Sequence, residues 1–131
     1  MTAALIDTSV VVGWDDPDVR ADLPDEIAIC TITLAELATG PHLAADPLER
    51  ARRQTRLQQV EELFDPLAFD RVAARSYGQV VAAVASSGRT HRRRMGDLLI
   101  AAIAHSNGLQ VYTRNPNDFA GLEDLIAVVH L

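Results

Sequence analysis

The chain has 131 residues, 48% of them apolar, with a formal net charge of −6 and no lysine among its 12 basic residues. That is one domain's length, enough to bury roughly two-thirds of the unfolded surface without metal or disulfide staples, so a single domain over residues 1–131 is expected. Three classes are disfavoured at once: catalysis by a lysine, a disulfide framework (Cys30 is the single cysteine, as befits a reducing cytoplasm), and a membrane protein, since no apolar window nears ~18 residues and the N-terminus lacks a signal pattern.

Residues 3–6 read as a short buried strand, after which DTSVVVGW turns into a helix. An acidic stretch broken by Pro17 and Pro24 follows, then a second apolar run at 27–31. TLAELATG is the next helix, with Thr33 as its expected N-cap and Gly40-Pro41 as its stop. Asp46-Pro47 opens a long helix whose Glu49 completes a capping box. Leu57, Val60, Leu63 and Phe64 share one face of it at helical spacing. PLAF (66–69) is short enough to be a strand. Residues 70–87 form another helix, with Val72, Ser76, Val80, Ala83 and Val84 inward and Gly88 at its C-terminal cap. GRTHRRRMG is a basic loop, and MGDLLIAAIAHSNG is apolar nearly all round, so that helix should be buried on most sides. GLQVYT is a strand, NPND a turn and LIAVVHL a last strand. Alternating strands and helices predict an α/β fold, a three-layer α/β/α domain around a mostly parallel sheet.

Four acids stand where apolar runs end. Asp7 closes AALID, Glu36 follows IAICTIT, Asp97 opens LLIAAIA, and Asp118 lies just past LQVYT. Each has an ordinary explanation. Asp7 and Asp97 suit helix N-caps, Glu36 has capping-box spacing from Thr33, and Asp118 suits a turn. Capping does not explain why four apolar runs should lead into acids on the sheet edge where α/β proteins bind ligands. Asp7 is the sharpest case, because a carboxylate at the end of a buried strand needs a partner and the chain has no lysine to supply one. A divalent cation fits, and all-oxygen donors suit Mg²⁺ or Mn²⁺. No Cys/His cluster points to zinc, no GxxxxGK[ST] loop to nucleotide binding, and no GxSxG elbow to a serine nucleophile.

Arg89, His91, Arg92, Arg93 and Arg94 immediately precede Asp97 and would rim the acidic pocket. Arginine forks match phosphate oxygens, and such contacts hold a nucleic-acid backbone without reading its sequence. A solvated loop is the plainer alternative.

Together, LIDTSVVVGW, TLAELATG, RMGDLLIAAIA and VYTRNPNDF resemble the PIN-domain nucleases, specifically the VapC-type toxins of bacterial toxin–antitoxin pairs. The likeness spans nearly the whole chain. It implies a PIN-like fold, Mg²⁺- or Mn²⁺-dependent endoribonuclease activity on a structured RNA such as tRNA or rRNA, a homodimer, and a cognate antitoxin. It also carries the family's acidic positions onto Asp7, Glu36, Asp97 and Asp118, with Asp7 and Asp97 as main metal ligands. Ser9 and Thr113 match supporting hydroxyls. Asn115 stands where some relatives place a carboxylate and so shares the fourth position with Asp118. The antitoxin's apolar contacts would fall among Val10, Val11, Trp14, Leu37 and Leu43, at least half of which serve equally as core. A DNA-directed or RNA-processing PIN nuclease, or a non-catalytic PIN binding module, are the nearest alternatives. A phosphoacceptor receiver also places an aspartate at a strand end, but it needs a lysine.

Overall fold

Ala4–Ile6 (β1), Ile27–Ala28 (β2), Gln110–Thr113 (β3) and Val128–His130 (β4) form one parallel sheet in the order β2-β1-β3-β4. The structure is a computed structural model that describes residues 3–131 apart from the side chain of Arg93. Six α-helices connect the strands among the described residues: α1 (Thr8–Val12), α2 (Pro17–Ala21), α3 (Thr31–Thr39), α4 (Pro47–Leu63), α5 (Arg71–Ser86) and α6 (Met95–Ser106). None of them is long and apolar enough to cross a membrane.

Successive side chains of a strand point to opposite faces, and here both faces are covered. Leu5 and Val111 meet Val80 and Val84 of α5 and Leu98, Ile100 and Ile103 of α6 in one apolar cluster. Ile6 packs with Val10, Ile29, Leu37 and Val60 in the other. The result is the expected α/β/α sandwich. Residues of α6 from Ile100 to Ala104 are fully buried, as its all-round apolarity required. Each buried Leu or Ile contributes roughly 1.5–3 kcal/mol relative to exposure, so α6 is the firmest platform in the molecule, and it carries Asp97 in its first turn.

Local signals set the helix ends. Asp46 accepts the Glu49 N–H at 2.8 Å with Pro47 at the first helical position, and Gly88 has φ +79° just beyond α5. Five expectations need correction. Glu49 does not close a capping box, because its carboxylate accepts from Arg53 Nε at 3.1 Å and, among the described residues, makes no bond to the Asp46 N–H. α3 begins at Thr31, capped by Cys30 without a side-chain bond, because the Thr31 N–H is held by Leu67 O at 2.9 Å; Thr33 is therefore inside the helix and not its cap. PLAF gives only an isolated parallel bridge between Cys30 and Leu67. Leu63 is 75% and Val72 54% exposed. The inward stripe of α5 runs through Ala73, Ser76, Val80 and Val84, which turns Val72 outward.

From central β1 the chain passes first to β2 on one side and later to β3 on the other. At such a switch point a crevice opens beyond the carboxyl ends of the two strands.

Candidate active site

The crevice is built on strand register. Ile6 pairs with Tyr112, so the next residues, Asp7 and Thr113, emerge side by side. The Asp7 N–H donates to Tyr112 O at 3.2 Å. Asp7 is 3% exposed, and three donors fix its carboxylate: Thr113 Oγ1 to Oδ2 at 2.6 Å, Ser9 Oγ to Oδ1 at 2.6 Å, and the Val10 N–H to Oδ1 at 3.3 Å. The last is the N-cap bond of α1. The hydroxyls are themselves tied to the loop after β3, since the Arg114 N–H donates to Ser9 Oγ at 3.1 Å and the Asn115 N–H to Thr113 Oγ1 at 3.0 Å. Ser9 and Thr113 therefore do act on Asp7. Asn115 joins through its backbone, with its side chain exposed.

Glu36 comes from the exposed side of α3. Thr8 Oγ1 donates to Glu36 Oε1 at 2.7 Å and lies 3.1 Å from Thr33 Oγ1. The sequence reading missed Thr8, although it stands between Asp7 and Ser9 in the same IDTS run. Gly96, at the start of α6, leaves room for this carboxylate, since a Cβ there would come within 3.3 Å of Glu36 Oε2.

Asp97 lies in the first turn of α6 but does not cap it; the cap position is Arg94. Its carboxyl is pushed up to about 7, by burial first and then by the charges of Asp118, Glu36 and Asp7, with Arg94 opposing. Asp7 is also raised, by burial above all and in small part by Asp118, against the hydrogen bonds from Ser9, Thr113 and Val10. Asp97 is thus the acid on which the charges of the other three bear. Asp118, on the 3₁₀ turn Pro116–Phe119, is the claimant to the fourth position whose charge reaches both Asp7 and Asp97.

Among the described residues none of these acids is in a salt bridge, and no three potential ligands already close on one point. Mg²⁺ does not need a closed cage: it keeps several waters and takes one or two carboxylates plus substrate oxygens. Mutually repelling carboxylates with no basic partner at salt-bridge distance among the described residues fit such an ion.

The arginine loop is less uniform than its sequence. Arg89 and Arg92 are exposed. Arg89 lies near Glu123, whose ionised form is favoured first by the Glu123 and Gly121 backbone and slightly by that arginine. The Arg93 side chain lies outside the described residues. Arg94 turns inward and donates to the carbonyls of Asn117, Asp118 and Ala120 at 3.2, 2.8 and 3.3 Å. A further arginine, Arg114, is exposed beside Thr8, Ser9 and Asn115, with Asp16 at 3.9 Å; the run of basic residues gave no hint of it.

An apolar groove of about 560 Å³ runs between α1 and α4. Val12, Trp14, Leu48 and Leu63 line it, with Arg52 and Arg56 alongside. Val12 also borders the hollow over Thr8, Ser9, Arg114 and Asn115, so the groove adjoins the hydroxyls that hold Glu36 and Asp7. Of the expected groove residues, Trp14 and Val11 line it, although Val11 is almost wholly buried. Val10 and Leu37 are core, and Leu43, though exposed, is not part of it.

Residues 4–124 match the PIN domain family. The chain is 38% identical over 128 residues to Ribonuclease VapC5 of Mycobacterium tuberculosis, covering 96% of this chain and 92% of the relative. It is 34% identical over 122 residues to VapC ribonuclease Y4jK of Sinorhizobium fredii, with 86% and 80% covered. Among solved structures it is similar to VapBC-5 of M. tuberculosis, a member of the VapBC family of toxin–antitoxin systems (TM-score 0.86, 35% identity, 100% of both chains). It is also similar to FitAcB from Neisseria gonorrhoeae (TM-score 0.80, 28% identity, 97% and 96% covered). With family and relatives matched along nearly its whole length, this chain belongs to the PIN-domain family and, within it, to the VapC ribonucleases.

Proposed function

We propose that the chain is a Mg²⁺- or Mn²⁺-dependent endoribonuclease, the toxin of a toxin–antitoxin pair, acting on a structured RNA such as tRNA or rRNA. The observation that carries the reading is the convergence of Asp7, Glu36, Asp97 and Asp118 beside the β1–β3 switch point, where among the described residues no basic group lies at salt-bridge distance from any of them. Asp7 and Asp97 would be the principal ligands, with Asp118 and Glu36 completing the negative field. When bound, the cation supplies positive charge that orients the phosphodiester, acidifies water and stabilises the leaving oxygen.

The chain's own residues do the rest. Ser9, Thr113 and the Val10 N–H clamp Asp7 in one orientation. Thr8 holds Glu36, an exposed carboxylate placed to take a proton from attacking water. The exposed Arg89 and Arg92 offer guanidinium groups to the RNA backbone, and Arg114, paired with Asp16 at 3.9 Å, adds a third at the edge of the site; such contacts read shape and charge and not base sequence.

An antitoxin segment is the partner we assign to the apolar groove. Exposed Val12, Leu48 and Leu63 need an apolar face, Arg52 and Arg56 suit acidic residues beside it, and Val12 brings such a segment next to Thr8 and Ser9. The homodimer implied by the resemblance belongs to the same proposal and is read by sedimentation of the purified chain.

Total RNA and single- and double-stranded DNA, each incubated with purified protein in Mg²⁺, Mn²⁺ or EDTA, test the activity. Cleavage of RNA alone, abolished by EDTA, is expected; RNA cleavage indifferent to EDTA would sink the metal mechanism, and DNA cleavage the substrate class. Growth arrest on expression, relieved by the product of a neighbouring reading frame, is expected of the toxin. Thr8→Val keeps shape but frees Glu36. It should slow cleavage about tenfold while changing stability by less than about 1 kcal/mol, as read by initial rates and urea unfolding.

A further inference from the structure

We infer that Arg94 is a positioning residue that fixes the turn carrying Asp118 against the start of α6, and is not one of the phosphate-contacting arginines of its loop. The inference rests on the nuclease reading only for its kinetic consequence; the geometry stands without it. Arg94 occupies the cap position of α6, three residues before Asp97. Its side chain crosses to the 3₁₀ turn Pro116–Phe119 and the residue after it. Nη1 donates to Asn117 O at 3.2 Å and Asp118 O at 2.8 Å, and Nη2 to Ala120 O at 3.3 Å. Three of the five guanidinium N–H donors are therefore engaged with backbone, which leaves a poor fork for phosphate.

The turn needs such a hold. Among the described residues the Asp118 carboxylate has no hydrogen-bond partner, so only the backbone sets its place. On one side Phe119 is buried in the core at 1% exposure. On the other, Gly121 has φ +94°, and a Cβ there would lie 2.7 Å from Ser87 Oγ. Arg94 is the third point, and the one that links the turn to the helix bearing Asp97. A lysine cannot replace it, because one ammonium on a flexible stem does not span carbonyls from 117 to 120 as a planar fork does.

Arg94→Gln and Arg94→Lys, compared with Arg89→Gln and Arg92→Gln in the full chain, test this. In amide hydrogen exchange on metal-free protein, both Arg94 variants should open residues 116–121 at least roughly tenfold faster, as local loosening at low-stability sites allows, with the other elements protected as in the wild type. Binding of a labelled single-stranded RNA in EDTA should stay within about twofold for the Arg94 variants, with an unchanged salt slope. Losing a phosphate contact lowers that slope by about one, which is the pattern expected of Arg89→Gln or Arg92→Gln. In Mg²⁺, kcat should fall roughly 10- to 100-fold with KM little changed, the cost of ångström-scale misplacement. Weaker RNA binding and a lower salt slope for Arg94→Gln, with exchange at 116–121 unaltered, would overturn the assignment. So would an Arg94→Lys protein that matches the wild type in exchange and rate, because charge and not span would then be what matters. Should Arg94→Gln unfold globally, Arg94→Lys carries the same comparison. A wild type that cleaves no RNA defeats the nuclease reading, while the exchange data still judge Arg94.

Discussion

Asp97→Asn should abolish RNA cleavage and at the same time make the metal-free protein more stable at neutral pH. The activity loss follows from removing a ligand and a charge at the reacting centre, roughly 10²- to 10³-fold or more by analogy with loss of a single electrostatic contact in an active site. The stability gain follows from the frustration of the site. Burial and three neighbouring carboxylates hold the Asp97 carboxyl at about 7, against an ordinary value of 3.8. Below pH about 4 it is protonated in folded and unfolded chains alike and contributes no difference. Between about 4 and 7 the unfolded chain releases the proton while the folded chain keeps it, so stability falls as pH rises through that window. Above about 7 the penalty is complete. For a half-buried group partly screened by water it amounts to about 1–2 kcal/mol. Asparagine carries no charge and escapes it. Thermal unfolding in EDTA should therefore show the variant a few degrees above the wild type at pH 8, with the gap closing towards pH 4; each kcal/mol corresponds to roughly 2–8 °C for domains of this size range. A variant less stable than the wild type at pH 8 would mean that Asp97 is held by partners and not repelled by neighbours.

Asp7→Ala should also abolish cleavage but move stability the other way. Asp7 caps α1 through the Val10 N–H and accepts short bonds from Ser9 and Thr113. Alanine removes the cap, worth about 1 kcal/mol, and leaves the buried Thr113 hydroxyl without its acceptor, at about 1–3 kcal/mol. Burial of the Asp7 charge raises its own pKa and offsets part of this, so a net loss of about 1–3 kcal/mol is expected. Urea unfolding at pH 7 gives the number. Two acids of one site, with opposite signs of stability change, would separate the carboxylate the fold holds from the one it merely tolerates. Equal stability of Asp7→Ala and the wild type would show that the hydroxyl clamp does not anchor β1 to β3.

How much of this was legible in the sequence varied with the range of the contacts. Asp7 announced itself because a charge directly after Ala4-Leu5-Ile6 breaks a buried pattern, and the register that sets it beside Thr113 follows from parallel pairing of β1 and β3. The caps at Asp46 and Gly88 are local and were read correctly. Contacts made across the fold were not legible. Thr8 reaches Glu36 over 28 positions, and Arg94 reaches Asp118 over 24, so neither leaves a trace in local spacing. Basic residues in a row suggested one shared role, yet the position of Arg94 at the start of α6 turns its side chain into the protein. Leu63 and Val72 fit apolar stripes, but burial also requires a neighbour on that face. None covers them, and for Leu63 the exposed position is part of the groove. Thr33 suited a cap by composition, and the cap falls three residues earlier, at Cys30, because Thr31 is tied to Leu67 from a distant segment.

Mn²⁺ binding to EDTA-stripped protein, followed by electron paramagnetic resonance across pH, decides whether the four acids form one cation site. Expected is binding at pH 8 that weakens as the pH drops below about 7, where protons compete for Asp97, and that is lost in both Asp97→Asn and Asp7→Asn. Binding of equal strength in the wild type and both variants, with no dependence on pH in this range, would contradict it.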